Sequence, residues 1–133
     1  MNSVDHLTMR ALGRRLADTF AEGWSKGKPE LLMSVFSESA TFIETPFSTP
    51  ITGTTALRRW AGDIPYNQSE ITFAVGEIFV AGPWFSTEFK LTFRRRRTGD
   101  WIDARGALFA ETDGAVMTEL RMYWHRSSKD PRD

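Results

Sequence analysis

The 133-residue chain carries 17 basic and 17 acidic side chains, and this zero formal charge argues against a nucleic-acid-binding protein, which would usually have a basic surface. It has no cysteine, which excludes a disulfide framework and a zinc–thiolate site. The first ten residues lack the apolar core of a signal peptide and no apolar run reaches membrane-spanning length, so we expect a cytoplasmic protein without membrane contacts.

Apolar residues at helical spacing mark the first two elements. A single stripe predicts a long amphipathic helix from about Val4 to Ser25. The stripe consists of Leu7, Leu12, Leu16, Phe20 and Trp24. Gly27 ends this helix, and Pro29 opens a short second helix over 29–36 (PELLMSVF), because proline costs nothing in a first turn.

The stretch 40–60 predicts a short strand, a proline-rich loop and the start of a helix. In the strand, Phe42 and Glu44 share one face, which places a carboxylate beside a phenylalanine. Pro46 and Pro50 cannot donate to a sheet ladder, so we expect the strand to end there.

The loop leads into a third helix. Gly53 permits a left-handed turn, and Thr54 or Thr55 is expected to cap a helix that opens at Ala56. We expect this helix to end near residue 62 and a loop containing Pro65 to follow over 61–69.

From residue 70 the apolar pattern has a period of two, which predicts strands. We expect the first two on either side of Gly82-Pro83, a third over about 101–111 and a last over about 116–125, with Asp113-Gly114 as a hairpin turn. Helices first and a meander last predict the α+β class, with a strongly curved antiparallel sheet wrapped around the long N-terminal helix and an internal cavity where the two diverge. By length, residues 1–133 form a single domain with a core at about 4–126 and a polar tail at 127–133.

The alternation also predicts which side chains face the cavity. Burying the charged alternatives would cost several kcal/mol each unless they were paired. We therefore place the apolar series inward: Phe85, Phe89, Leu91, Phe93, Ile102, Ala104, Gly106, Leu108, Ala110, Leu120, Met122 and Trp124. A register in which Asp103, Arg105, Arg121 and Tyr123 form a polar site in the cavity stays open, because bulges shift the register of curved sheets.

In the favoured register the cavity is apolar and aromatic, and Glu44 is its polar group. The predicted lining is Phe20, Trp24, Phe42, Trp60, Phe89, Leu91, Leu108, Met122 and Trp124. The convex face of the sheet then carries aromatic residues among charges, which is typical of an interface. Its predicted contact residues are Trp84, Trp101, Phe109, Arg121 and Tyr123.

Four stretches carry a resemblance to a known superfamily: the long first helix, LLMSVF running into SATF, the helix start GTTALRRW, and the ending DGAVMTELRMYWH. Over residues 7–125 they resemble the nuclear transport factor 2-like superfamily and its SnoaL-like members. Ketosteroid isomerases, limonene epoxide hydrolases, scytalone dehydratases and polyketide cyclases belong to this group. The resemblance implies a cystatin-like cone and a homodimer packed through the convex face, whereas activity does not follow from fold.

Stretch 40–53 resembles the ketosteroid isomerases without a gap, and the resemblance implies that Glu44 stands at their general-base aspartate. Their oxyanion tyrosine and second aspartate fall near Phe20 and Gly106, which have no polar side chain. The Asp-Arg-Asp set of the epoxide hydrolases falls on Phe89, Leu91 and Met122, or on Arg121 in a shifted register. Epoxide hydrolysis is therefore not expected.

Glu44 is the main catalytic candidate, since a carboxylate in an apolar pocket can abstract a proton from carbon or activate water. The alternative is a hydrogen-bonded carboxylate at a pocket mouth without turnover. An oxyanion also needs a donor, for which Tyr66 or a backbone N–H is available. His125 is a second candidate, as a base or as a partner that orients Glu44, although a histidine at a strand end is more often exposed.

Two distant histidines make a metal site improbable, and we expect no metal and no cofactor. Arg94–Arg97 is expected to be a solvated hairpin tip. The sequence thus predicts a SnoaL-like protein that binds a small, largely apolar molecule. It would be a cofactor-free isomerase, dehydratase or cyclase with Glu44 as general base, or alternatively a non-catalytic ligand-binding, dimerisation or accessory domain.

Overall fold

The computed structural model describes residues 3–127, so the predicted polar tail lies outside the described residues from residue 128 onward. Three helices and seven strands follow one another along the chain. Their bounds are α1 Ser3–Ser25, α2 Pro29–Met33, β1 Phe36–Ile43, β2 Ile51–Thr52, α3 Thr54–Asn67, β3 Gln68–Val75, β4 Phe79–Ala81, β5 Trp84–Arg95, β6 Trp101–Thr112 and β7 Met117–Arg126.

All seven strands belong to one sheet, in the order β2-β1-β7-β6-β5-β3, with β4 paired to β5. The predicted α+β class, with a curved sheet and a long N-terminal helix, is confirmed. One pair differs from the antiparallel pattern, since β1 and β7 run parallel and make the sheet mixed. The reason is topological: β7 returns to the side of β1 only after α3 and the whole meander, and a connection of that length permits parallel neighbours.

The second helix is shorter than predicted, because it ends at Met33 rather than at Phe36. The hydroxyl of Ser34 donates to the carbonyl of Leu31 and closes the last turn. Val35 and Phe36 are both buried, and the N–H of Met117 donates to the carbonyl of Val35 at 2.7 Å. The chain therefore turns directly from α2 into the edge of the sheet.

The third helix is longer than predicted and runs to Asn67, so the loop expected over 61–69 is wrong. Leu57, Ala61 and Ile64 are buried at helical spacing, and burying Ile64 favours another turn in spite of Pro65. At the start of α3, Gly53 with φ 88° is the capping residue, and no side chain caps the helix. The hydroxyl of Thr54 donates instead to the carbonyl of Glu38.

The predicted facing of β5, β6 and β7 is confirmed by burial. Ten of the twelve residues placed inward are buried, namely Phe85, Phe89, Leu91, Phe93, Ile102, Ala104, Leu108, Ala110, Leu120 and Met122. The other two are Gly106, which is half-buried, and Trp124, which is 36% exposed. The alternative register is wrong, since Arg105, Arg121 and Tyr123 are exposed on the convex face. Asp103 is buried there beneath Arg105, whose Nε and Nη2 atoms donate to its two carboxylate oxygens.

Gly106 lies where the backbone of β7 leaves no room for a side chain on β6. A Cβ atom at this position would lie 1.9 Å from the carbonyl oxygen of Tyr123, a distance that no side chain tolerates. Gly106 is paired with Phe89 on one side and with Trp124 on the other. The backbones of β6 and β7 can therefore lie this close beside Trp124 only because residue 106 has no side chain.

Candidate functional site

A cavity of about 600 Å³ lies on the concave side of the sheet, next to the turn between β5 and β6. Its wall is apolar and consists of Trp24, Phe89, Leu91, Phe93, Ile102, Ala104, Met122 and Trp124. Its polar lining consists of Glu44, Asn67, Gln68, Arg95, Arg97, Thr98 and Arg126. An apolar volume of this size with a few polar groups has the form of a small-molecule site.

Five of the nine residues predicted to line the cavity do so: Trp24, Phe89, Leu91, Met122 and Trp124. The other four are a correction, because Phe20, Phe42, Trp60 and Leu108 belong to packed protein. We call the rings of Phe20, Phe36, Phe42, Trp60 and Phe73 the aromatic core. Trp60 stacks on Phe20 with centroids 6.3 Å apart and meets Phe42 edge-on at 4.6 Å, so these rings fill the space that a ligand would need.

Glu44 follows β1 directly, and two indole groups fix its position. Trp60 Nε1 donates to the carboxylate Oε2 at 2.8 Å, and Trp124 Nε1 donates to the backbone carbonyl of Glu44 at 2.9 Å. The side chain is half-buried and lines the cavity. Among the described residues nothing hydrogen-bonds to the second carboxylate oxygen, Oε1, which therefore keeps its lone pairs for a ligand.

Two neighbouring polar side chains of the cavity, Asn67 and Gln68, were not predicted from the sequence. Asn67 ends α3 and Gln68 begins β3, and both line the cavity. Trp24 Nε1 donates to Gln68 Oε1 at 3.0 Å, which leaves the Gln68 amide nitrogen as a donor. Asn67 and Gln68 were missed because a loop predicted over 61–69 gives its side chains no defined direction. The helical spacing of Leu57, Ala61 and Ile64 indicates a longer helix and could have identified them.

His125 and Tyr66 do not reach Glu44. On β7, residue 125 faces the opposite side of the sheet from Trp124, and His125 is exposed beside Arg105. Tyr66 is 81% exposed and does not line the cavity. Neither residue lines the cavity that Glu44 borders, so this structure does not bring His125 or Tyr66 to a ligand held there.

The arginine run 94–97 is exposed, as expected of a hairpin tip, but two of its members also line the cavity. Arg95 and Arg97 lie on one side of the mouth, and Arg126 at the end of β7 joins them. The alternation of side chains along β5 and β7 already indicates this placement, because Arg95 shares a face with Phe93 and Arg126 shares a face with Trp124.

On the convex face, four of the five predicted contact residues lie together. Arg121 covers the ring of Trp84 with its guanidinium carbon 5.5 Å from the centroid, and Phe109 meets Tyr123 edge-on at 5.7 Å. Phe109 and Tyr123 are 41% and 42% exposed. A hydrogen bond from Arg121 to Glu119 raises the pKa of the guanidinium group. Trp101 lies at the other end of β6, where Arg94 covers it, so it is not part of this cluster.

Within residues 3–127, no group of three or more His, Cys, Asp or Glu side chains lies close enough together to hold a metal ion. Over the same residues, no helix is both long and apolar enough to cross a membrane.

Comparisons with known proteins agree with this architecture. The model of the SnoaL-like domain family matches residues 17–120. No curated protein matches the sequence. A Bacillus subtilis protein named provisionally as an isomerase is 17% identical, with a TM-score of 0.78 over 94% of this chain and 90% of that one.

Two further structures contain small ligands. A protein from Catenulispora acidiphila with a ketosteroid isomerase-like fold, in complex with trimethylamine, is 16% identical, with a TM-score of 0.72 over 81% of this chain and 83% of that one. The Mycobacterium tuberculosis protein RV0760c, in complex with estradiol-17β-hemisuccinate, is 15% identical, with a TM-score of 0.71 over 86% of this chain and 94% of that one. At these identities the likeness concerns the fold.

Proposed function

This chain belongs to the SnoaL-like protein family, and we propose that it binds a small, largely apolar molecule in its cavity and acts on it as a cofactor-free isomerase, dehydratase or cyclase. The observation that carries the proposal is the position of Glu44, on the wall of an apolar cavity of about 600 Å³ with one carboxylate oxygen held by Trp60. The structures of two similar folds contain trimethylamine and estradiol-17β-hemisuccinate, which supports a small-molecule ligand.

Glu44 has the features of a positioned general base. The hydrogen bond from Trp60 orients the carboxylate, and the bond from Trp124 fixes the backbone to which it is attached. Oε1 is then the oxygen that takes a proton from a carbon acid or from water in the cavity. The indole groups lower the freedom of the base before a ligand binds, which reduces the cost of reaching a reactive geometry.

Proton abstraction next to a carbonyl also needs a donor for the developing oxyanion. We assign this role to Gln68, because Trp24 occupies its amide oxygen and its amide nitrogen remains a donor on the cavity wall. Gln68 and Glu44 thus supply a donor and a base to the same cavity, from β3 and from the end of β1.

Hydrogen–deuterium exchange tests the general base without knowledge of the true substrate. Small hydrophobic ketones that raise the melting temperature are incubated with the protein in deuterated buffer, and NMR follows loss of the α-proton. We expect Glu44→Gln to bind the same ketones and to lower the exchange rate by about 100-fold, the usual contribution of a general base. Glu38→Gln removes an exposed carboxylate of β1, the strand that leads to Glu44, and is the matched control.

The outcomes separate the possible functions. If a ketone binds and Glu44→Gln exchanges its proton at the wild-type rate, the proposed role of Glu44 is wrong. If ketones bind and neither protein exchanges protons, the chain is a ligand-binding domain without turnover. If no hydrophobic molecule binds, an accessory or dimerisation role is the remaining function.

We also propose that the chain forms a homodimer through the convex cluster of Trp84, Phe109, Arg121 and Tyr123, and that it works in the cytoplasm as a single domain. Two large, partly exposed rings next to a stacked arginine support the interface, because aromatic residues and arginine are enriched at such surfaces. Light scattering is expected to give a dimer for the wild type and a monomer for Tyr123→Glu. Arg59→Glu on α3 is the control, and a monomeric wild type would refute the interface.

A further inference from the structure

Three arginines lie at the mouth of the cavity, where its apolar wall meets solvent. Arg95 ends β5, Arg97 lies in the following turn and Arg126 ends β7, and all three are exposed. Among the residues described as lining the cavity, Glu44 is the only acidic one. Because the whole chain has no formal net charge, this is a local concentration of positive charge at the entrance to an apolar space.

The strands themselves direct two of these arginines toward the cavity. Side chains alternate along a strand, so Arg95 shares the concave face with Phe93, and Arg126 shares it with Trp124. The neighbouring residue Arg94 faces the other way, where it covers Trp101 and pairs with Glu70. Two of the three mouth arginines therefore follow from the register of the sheet, and the turn supplies the third, Arg97.

These arginines differ from most others in what they contact. Arg105 donates to Asp103 and Arg121 donates to Glu119, so their charges are matched within the protein. Within residues 3–127, no hydrogen bond or ion pair engages the guanidinium groups of the three mouth arginines. Their donors remain available to a ligand, and a planar guanidinium matches the two oxygens of a carboxylate.

We propose that the ligand of this cavity is an amphipathic carboxylic acid, with its apolar body against the cavity wall and its carboxylate at Arg95, Arg97 and Arg126. This inference rests on the proposed function and adds the class of its substrate. Glu44 supports the same orientation, because an anionic side chain on the wall repels a second carboxylate entering the cavity. The acid group thus stays at the mouth and presents the apolar body to Glu44.

Matched fluorescent ligands test this inference. 4-(1-Pyrenyl)butanoate and 4-(1-pyrenyl)butanol share one apolar body and differ in the carboxylate, and 2-naphthylacetate and 2-naphthylethanol form a smaller pair. Binding is titrated at low salt and at high salt. We expect each acid to bind about tenfold tighter than its alcohol at low salt, as charge-assisted hydrogen bonds imply, and to lose most of that advantage at high salt.

Variants locate the effect at the mouth. Arg95→Gln and Arg126→Gln are each expected to weaken binding of the acid about threefold, the scale of an exposed ion pair, and to leave binding of the alcohol unchanged. Arg59→Gln removes the same charge from an exposed position of α3 that does not line the cavity, and it is expected to change neither ligand. Circular dichroism checks that each variant is folded.

The outcomes distinguish the two proposals. If acid and alcohol bind equally and the arginine variants match the wild type, the carboxylate inference is wrong while ligand binding in the cavity stands. If Arg59→Gln weakens the acid as much as Arg126→Gln does, the preference is a general charge effect and the mouth is not a carboxylate site. If no member of either pair binds, both the inference and the proposed function fail.

Discussion

The aromatic core and the cavity lie side by side, and Phe73 of the core stacks on Phe89 of the cavity wall, yet one region is filled and the other is open. In the aromatic core, α1, β1 and α3 supply Phe20, Phe42 and Trp60 from three directions, and the rings meet at 4.6 to 6.3 Å. α1 ends at Ser25, one residue beyond Trp24, and Trp24 itself lines the cavity. The comparison shows that inward-facing apolar residues pack closely where rings of the helices meet them, as Trp60 of α3 meets Phe42, and border open space elsewhere, as at Leu91.

Truncating one ring in each region is the strongest test of this comparison. Phe20→Ala is expected to lower the free energy of unfolding by about 4 kcal/mol, because it leaves a closed hole among rings that cannot follow. Phe89→Ala is expected to cost about 3 kcal/mol, at the lower end for a buried ring, since Phe89 stacks on Phe73 but also borders open space. Urea unfolding measures both values. Equal losses would mean that the two regions are packed alike.

A methyl group at Gly106 tests the close contact between β6 and β7 beside Trp124. Its Cβ would meet the carbonyl of Tyr123, so β6 and β7 must separate next to Trp124. We expect Gly106→Ala to destabilise the protein by about 3 kcal/mol, at the upper end for overpacking, and to change the environment of Trp124. Unfolding and near-ultraviolet circular dichroism measure these effects. Gly62→Ala is the control, because a Cβ there meets no atom within 4 Å.

The sequence predicts the faces of the strands well and the depth of each side chain poorly. Burying the charged side chain of Lys90 would cost several kcal/mol, so Lys90 faces solvent and Leu91 faces the interior. This preference fixes the register of the sheet. Phe42 and Phe89 both face inward, however, and alternation does not show that Trp60 covers the first while the second borders the cavity. That distinction depends on contacts between elements far apart in the chain, such as the 2.8 Å bond from Trp60 to Glu44.

Local sequence signals also gave wrong predictions at the ends of helices and strands. Pro65 indicates a loop by its own propensity, but the burial of Ile64 extends α3 to Asn67 and thereby brings Gln68 to the cavity. A run of four arginines indicates a solvated turn, whereas continued alternation places Arg95 at the mouth. At such positions tertiary packing overrides local propensity.

The two indoles that hold Glu44 come from the two regions and allow a finer comparison. Trp60→Phe keeps a ring in the aromatic core and removes the donor to the carboxylate, and we expect a loss of about 1.5 kcal/mol for a bond to a charged group. Trp124→Phe removes a bond to a backbone carbonyl from a more exposed side chain, and we expect about 0.5 kcal/mol. Thermal unfolding compares the two. A larger effect at Trp124 would show that the backbone of Glu44, not its carboxylate, is the constrained part.

The smallest effect is expected at the turn between β6 and β7, which lies at the opposite end of these strands from the cavity mouth. The N–H groups of Val116 and Ala115 donate to Asp113, and these bonds lower the pKa of its carboxyl group below the ordinary value of 3.8. Since the folded state favours the ionised form, this contribution to stability is complete above about pH 4 and is lost as the pH falls further. Asp113→Ala should therefore unfold slightly more easily at pH 7 and lose less stability than the wild type between pH 4 and pH 2, as measured by urea unfolding. Its binding of cavity ligands should equal that of the wild type, and a weakened affinity would mean that the closed end of the sheet and the cavity are mechanically coupled.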